Sequence, residues 1–221
     1  FLQHSTIDHQ PPLDSPPHPN PLPPKAGGEG TRLDARLGLN TERQFAWLHV
    51  LFRSLDQLRA VTSSDLLLAS TGSRLSSLDT RPLVYADFSD IREYREAVAV
   101  AHEAGLPIYV ATPRIQKPDE AGLFRALLKH EADGILVRNL AGMHFYADEG
   151  VPFVADYSLN CTNEVTAQFL MSHGPQRITA SYDMNRDQLL GLVDAVPPEW
   201  LEVVVHQHMP MFHMEHCVFC A

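Results

Sequence analysis

The chain has 221 residues, of which 44% are hydrophobic and 20% charged, and its formal net charge is −10. This composition excludes a wholly disordered chain, and the negative charge argues against a general electrostatic grip on nucleic-acid phosphates, although a local basic patch is compatible with it. No apolar run approaches the ~20 residues that span a bilayer, and three cysteines are too few for a disulfide-rich secreted scaffold, so we expect a cytoplasmic protein with no membrane partner.

The first 45 residues are predicted to form a disordered Pro/Gly-rich linker. Eight of the 17 prolines lie between Pro11 and Pro24, and glycines follow up to Gly30. Proline fixes φ and lacks a backbone N–H, so this stretch cannot form a strand ladder or a helix interior. A PxxP ligand for a partner groove is the alternative interpretation of the same prolines. The folded domain is predicted over residues 46–221.

From Trp47 onward, short apolar runs alternate with amphipathic helical patterns. Strands are predicted at 47–52, 83–87, 107–111, 134–138, 152–156, 177–181 and 201–206. Helices are predicted at 55–62, 90–104, 120–131, 141–148, 162–173 and 185–195. The strands are continuously apolar, as in a parallel sheet buried on both faces. Residues 65–82 interrupt the pattern and are interpreted as an elaborated loop or a degenerate helix.

Seven strand–helix repeats predict an α/β fold of the TIM-type (β/α) barrel class. Neither GxGxxG nor GxxxxGK[ST] occurs, which removes the two common phosphate-cradling signatures. A complete barrel typically needs ~250 residues. The sequence therefore predicts a barrel truncated after strand seven, without its eighth repeat.

Polar residues follow the predicted strands at the end where such barrels build their active sites. The predicted substrate-binding residues are Arg53, Asp87, Arg114, Arg138, Asn139, Asp156 and Asn160. Arginines converging on one rim would bind an anionic substrate, such as a carboxylate or a phosphate, by bidentate hydrogen bonds. In the alternative interpretation, the arginines pair with Asp87, Asp156 and Asp183 to neutralise buried charge.

Thiols and imidazoles are concentrated in the C-terminal tail. Four of the 12 histidines fall in the last sixteen residues, beside the CxxC pair of Cys217 and Cys220. Two thiolates with imidazoles suit a soft or borderline metal, either zinc or the iron of a cluster. Cys161 and His216 are the further predicted ligands. A redox dithiol and two buried structural thiols are the alternatives.

The same tail supplies the predicted catalytic residues, Glu202, His206 and His208. A metal-activated water with Glu202 or Glu215 as general base would make a hydrolase, although no HExxH or inverse motif occurs. Ser158 or Ser181 as a nucleophile is disfavoured, because neither lies in a GxSxG elbow.

Several segments resemble peptidase family U32, the collagenase-like proteases. They are LVYADF, ATPRIQKPDE, GILVRN, DYSLNCTNE and EVVVHQHMPMFHMEHCVFC, and the resemblance covers about residues 46–221. Glu202 matches the glutamate of the family signature and Cys217 its second cysteine, whereas Pro210 stands where the first cysteine is expected. The motif HMPMFHMEHCVFC resembles that of a subgroup of the family.

The resemblance implies two competing activities. The favoured one is oxygen-independent hydroxylation of an RNA base or a small aromatic substrate by an iron–sulfur enzyme, with Cys217 and Cys220 among the ligands of a [4Fe–4S] cluster. The alternative is a collagenase-like peptidase, a hydrolase acting on peptides, and zinc is the alternative metal. A further alternative is an inactive fragment of a longer enzyme that carries more cysteines. The expected partners are a small anionic or aromatic substrate, an RNA or a peptide.

Overall fold

The computed structural model describes residues 48–63 and 82–208 of the chain. The predicted linker over 1–45, nearly all of the interrupting segment 65–82, and the tail with Cys217, Cys220 and His216 lie outside the described residues. The part described is a parallel sheet of seven strands in sequential order, with helices between the strands.

The strands and helices alternate along the chain without exception over the described residues. The strands are β1 Val50–Phe52, β2 Val84–Ala86, β3 Ile108–Ala111, β4 Gly134–Val137, β5 Phe153–Ala155, β6 Ile178–Thr179 and β7 Leu201–Glu202. The helices are α1 Leu55–Thr62, α2 Tyr94–Glu103, α3 Ala121–Leu128, α4 Leu140–Asp148, α5 Glu164–Met171 and α6 Arg186–Ala195. Short 3-10 turns occupy Ile91–Glu93, Tyr157–Leu159 and Pro198–Trp200. All seven predicted strands and all six predicted helices are confirmed.

The sequential parallel order is that of a TIM-type barrel, which confirms the predicted fold class. Within the described segments, no strand joins β7 to β1 by backbone pairing. No helix of those segments is long and apolar enough to cross a bilayer.

Strand register separates the residues that face the helices from those that face the barrel interior. Val84 of β2 pairs with Ile108 of β3, and both belong to the larger apolar core against the helices. Side chains alternate along a strand, so Tyr85 and Tyr109 point to the other side, where a smaller apolar cluster fills the interior. A Cβ at Gly134 would lie 2.4 Å from the Tyr109 ring, so this interior layer needs a glycine at the start of β4.

Helix starts are fixed by side-chain caps that the sequence supplies. Ser54, Asn163 and Asn185 each accept a hydrogen bond from a backbone N–H three residues onward, at the starts of α1, α5 and α6. Such a cap stabilises a helix by about 1 kcal/mol. Because each helix begins directly after a strand-end loop, the caps also fix where the loops at the C-terminal ends of the strands turn.

Candidate functional site

A cavity of about 270 Å³ opens at the C-terminal ends of the strands. We call it the rim cavity, and it is lined by Arg114, Ile115, Arg138, Tyr157, Ser158, Asn160, Ser181, Tyr182 and Asp183. These residues follow β3, β4, β5 and β6, so four neighbouring strand ends build one site. This is the end of the barrel at which TIM-type enzymes hold their substrates.

Arg138 is buried in the floor of the rim cavity and is neutralised by two carboxylates. Its Nη1 and Nη2 donate to the two oxygens of Asp87 at 2.6 and 2.7 Å, and its Nε donates to Asp156 Oδ2 at 2.9 Å. Although burial opposes the charged form, the two carboxylates hold the pKa of Arg138 above its usual value. Burial raises the pKa of Asp156, and the Arg138 cation and the Tyr157 N–H oppose that rise. Pairing within the protein, the alternative interpretation of the rim arginines, therefore holds for Arg138.

Arg53 belongs to the same cluster but lies outside the rim cavity. Its guanidinium donates to Asp87, and 65% of its side chain is exposed. Asp87 thus accepts from two arginines, and the four groups Arg53, Asp87, Arg138 and Asp156 carry no net charge. We call these four residues the rim ion cluster.

Arg114 is the predicted rim arginine that has no carboxylate partner among the described residues. It donates a hydrogen bond to the phenolic oxygen of Tyr157, and its Cζ lies 5.0 Å from the centre of that ring. The rings of Tyr157 and Tyr182 lie 4.8 Å apart. Burial and the charge of Asp156 raise the pKa of Tyr157, so its phenol is protonated at neutral pH. Because its oxygen already accepts from Arg114, the Tyr157 O–H is oriented to donate elsewhere.

Neither Tyr157 nor Tyr182 is among the site residues predicted from the sequence. They occupy strand-end positions directly after Asp156 and Ser181. Their position directly after a strand was the signal that could have found them. The two rings form an aromatic wall beside the Arg114 guanidinium.

The two predicted asparagines have different environments. Asn160 lines the rim cavity and adopts the left-handed conformation, with φ 54° and ψ 47°, at the end of the turn Tyr157–Leu159. Asparagine is among the few non-glycine residues that adopt this conformation readily. Asn139 instead caps α4, because its Oδ1 accepts from Gly142 N at 2.7 Å and its Nδ2 donates to Pro113 O at 2.8 Å. Both polar atoms of Asn139 are thus occupied by the fold.

Glu202, the predicted general base, lies in the barrel interior within a hydrogen-bonded network. Its Oε1 is 2.8 Å from His49 Nδ1, 2.8 Å from the Tyr85 hydroxyl and 2.7 Å from Arg177 Nε. The Thr179 hydroxyl is 3.4 Å from Oε2. We call these five residues the interior network. Although burial favours the protonated carboxyl, the contacts with His49, Arg177 and Tyr85 lower the pKa of Glu202.

The interior network lies one layer deeper than the rim ion cluster. Asp87 lies two residues after Tyr85, just past the end of β2, and Ser181 lies two residues after Thr179, just past the end of β6. Because side chains alternate along a strand, each pair lies on the same side of the sheet. None of the five network residues lines the rim cavity. This placement favours a structural role for Glu202 over that of a base, because a carboxylate surrounded by donors is a poor proton acceptor.

The described histidines of the tail do not reach the rim cavity. His206 and His208 are exposed, with their rings 6.1 Å apart. Ser158 Oγ donates to the Arg138 carbonyl at 2.8 Å, and Ser181 Oγ lies 3.4 Å from the Asp183 N–H. Over residues 48–63 and 82–208, no group of three His, Cys, Asp or Glu side chains is arranged to hold a metal.

Cys161, the predicted third thiol ligand, is part of the apolar core. Its side chain is fully buried, and its backbone bridges to Ala180 beside β6. Burial raises the pKa of the Cys161 thiol to about 11, which disfavours the thiolate that a metal requires. Cys161 is therefore packed in the core with a protonated thiol, its role as a ligand stays a prediction, and Cys217, Cys220 and His216 lie outside the described residues.

Comparison with known proteins gives a family match and two similar solved structures. The sequence model of peptidase family U32 matches residues 75–221. The solved structure of the U32 peptidase Mk0906 is similar at 16% identity and a TM-score of 0.50, over 72% of this chain and 69% of that one. The YdjI aldolase from Escherichia coli K12 is similar at 13% identity and a TM-score of 0.47, over 72% of this chain and 64% of that one. At 16% identity, the similarity to Mk0906 concerns the fold alone.

Proposed function

The chain belongs to peptidase family U32, and on this premise we propose that it is an enzyme whose substrate binds in the rim cavity through an anionic group at Arg114. The observation that carries the proposal is that Arg114 has no carboxylate partner among the described residues. Its guanidinium contacts Tyr157 at the strand ends and meets no carboxylate of the described residues, whereas Arg53 and Arg138 are held by aspartates.

The surroundings of Arg114 suit a small anionic or aromatic substrate. A carboxylate or phosphate oxygen would accept hydrogen bonds from the remaining Arg114 donors and from the Tyr157 O–H. A planar group would pack against the rings of Tyr157 and Tyr182. The cavity volume of about 270 Å³ is below the range of about 300–1,000 Å³ typical of drug-sized ligands. The rim cavity therefore suits a small molecule, a single base of an RNA or one residue of a peptide.

Two reaction classes extend this proposal. Oxygen-independent hydroxylation rests on the sequence pair Cys217 and Cys220, which would hold a [4Fe–4S] cluster or, as the alternative, zinc. Such a cluster would supply electron transfer, and the described residues would bind and orient the substrate. Peptide hydrolysis is compatible with the family and with the fold.

Binding at Arg114 is tested with 3-phenylpropionate, titrated by calorimetry into the wild type and into Arg114→Gln. Loss of a charge-assisted hydrogen bond costs about 1.5–3 kcal/mol, so we expect the affinity to fall by about tenfold or more. Arg53→Gln is the matched control, because Arg53 lies outside the rim cavity, and we expect no change. Equal effects of the two substitutions, or no binding by the wild type, would contradict the proposal.

The reaction classes are separated by two measurements on the full chain. Iron and acid-labile sulfide that bind after anaerobic reconstitution, and that are lost in Cys217→Ser, would support the hydroxylase. Cleavage of gelatin or short peptides that is lost in Arg114→Gln would support the peptidase, and a chelator shows whether a metal takes part.

A further inference from the structure

The rim cavity contains a second charged group that the proposed anion site does not use. Asp183 follows β6, lines the rim cavity with Arg114, and has an exposed side chain. Over the described residues, no ion pair joins Asp183 to Arg114 or to another cation. The third charged residue of the lining, Arg138, is neutralised by Asp87 and Asp156.

A ligand with one charge would leave one of these two groups poorly matched. A plain anion at Arg114 would also face the carboxylate of Asp183, and a plain cation at Asp183 would also face the guanidinium of Arg114. Binding sites place charges so that the potentials of the site and of the ligand are complementary. A molecule with a carboxylate and an ammonium group would match both charges at once.

We infer that the ligand of the rim cavity is a small zwitterion of the α-amino-acid type, with its carboxylate at Arg114 and Tyr157 and its ammonium group at Asp183. This inference rests on the proposed function, because it takes the rim cavity as the substrate site. It adds a second recognition point and makes Asp183 the residue that distinguishes amino acids from simple acids.

The remaining lining residues agree with a ligand of this size and shape. The rings of Tyr157 and Tyr182, 4.8 Å apart, supply an aromatic wall for an apolar or planar side chain. The Ser158 hydroxyl is already bonded to the Arg138 carbonyl. Asn160, held in the left-handed conformation at the edge of the rim cavity, offers a side-chain amide for a neutral polar group. A volume of about 270 Å³ is too small to enclose a long molecule completely.

The test uses three probes that share a phenyl ring and differ only in which charged groups they carry. L-Phenylalanine carries both charges, 3-phenylpropionate carries only the carboxylate, and phenethylamine carries only the ammonium group. Each is titrated by calorimetry into the full chain, and we expect phenylalanine to bind about tenfold tighter than either of the others. In Asp183→Asn the advantage of phenylalanine over 3-phenylpropionate should disappear. In Arg114→Gln its advantage over phenethylamine should disappear.

Asp148→Asn is the matched control, since Asp148 is an exposed aspartate at the end of α4, away from the strand ends that build the rim cavity. We expect it to bind all three probes as the wild type does, and thermal melts confirm that every variant is folded. If 3-phenylpropionate binds the wild type as tightly as phenylalanine and still depends on Arg114, the zwitterion inference is overturned and the anion site stands. If no probe binds, or if binding does not depend on Arg114, both are overturned.

Discussion

Replacing Glu202 with glutamine tests whether this carboxylate stabilises the fold or takes part in chemistry. Its Oε1 lies within 2.8 Å of donors on His49, Tyr85 and Arg177. Glutamine keeps the volume of the side chain but removes its charge. It also replaces one acceptor oxygen with an NH₂ group that would face other donors. Glu202→Gln therefore breaks the interior network without leaving a large cavity.

The expected loss follows from burial. The side chains of Glu202 and Arg177 are 14% and 32% exposed. Removing one partner of a fully buried ion pair costs about 3–5 kcal/mol. Because water still reaches part of Arg177, we expect the lower end, about 3 kcal/mol. At about 2–4 °C for each kcal/mol in a domain of this size, the Tm should fall by about 6–12 °C.

Thermal unfolding at neutral pH measures this effect, with Glu199→Gln as the matched control. Glu199 is exposed and lies three residues earlier, in the turn Pro198–Trp200, so its substitution should leave the Tm unchanged. Binding of 3-phenylpropionate in the rim cavity should survive in both variants below their melting temperatures. If Glu202→Gln has the same Tm as the wild type and yet abolishes enzymatic activity, the carboxylate acts in the reaction, and the structural role assigned to Glu202 is refuted.

Three further predictions concern pH, the rim ion cluster and the buried thiol. Folding lowers the pKa of Glu202 from 4.5, so the stability that the Glu202 carboxylate contributes is present above pH 4.5 and is lost as the pH falls through the pKa of the folded state. The difference in Tm between the wild type and Glu202→Gln should therefore shrink on acidification. A constant difference would contradict this. Arg138→Gln should lower the free energy of unfolding by about 3–5 kcal/mol, because two buried carboxylates lose their partner. Arg53→Gln should lower it by less than about 1 kcal/mol, because the Arg53 side chain is 65% exposed. Equal losses for the two variants in chemical denaturation would contradict this difference. In a variant with the other cysteines replaced by serine, Cys161 should react with a thiol reagent at pH 8 roughly 200-fold more slowly in the folded than in the unfolded protein. The reason is that a thiol pKa of about 11 leaves little thiolate at this pH. Comparable rates in the two states would show that the thiol is accessible.

The fold was predictable because its signals are local. Continuous apolar runs indicated strands buried on both faces, and helix α1 has the predicted bounds, 55–62, with Ser54 as its cap. The prediction was least accurate at the last two strands. Residues 201–206 were predicted as a strand, whereas β7 covers only Leu201–Glu202 and Val203 and Val205 are exposed. β-propensity alone cannot extend a strand where backbone partners end.

The sequence predicted where the site lies but not which of its charged residues form ion pairs. Strand ends placed Arg114, Arg138 and Asn160 at one rim, and all three line the rim cavity. Which arginine is neutralised depends on contacts between distant residues, since Arg138 and its partner Asp87 are 51 residues apart. The depth of Glu202 likewise depends on the stagger between strands, which the sequence of one strand does not contain.

Charge balance over the described residues connects the fold with the site. The fold contains two clusters of charged side chains, and within each cluster the charges pair with one another. They are the interior network around Glu202 and the rim ion cluster around Arg138. Buried charges of this kind must be paired, because an uncompensated one is strongly destabilising. Arg114 and Asp183 are only partly covered or exposed, so stability does not require them to be paired. A charge that the fold neither needs nor neutralises remains available to a ligand. The rim cavity holds two such charges of opposite sign, and this makes its chemistry testable with small charged probes before the reaction is known.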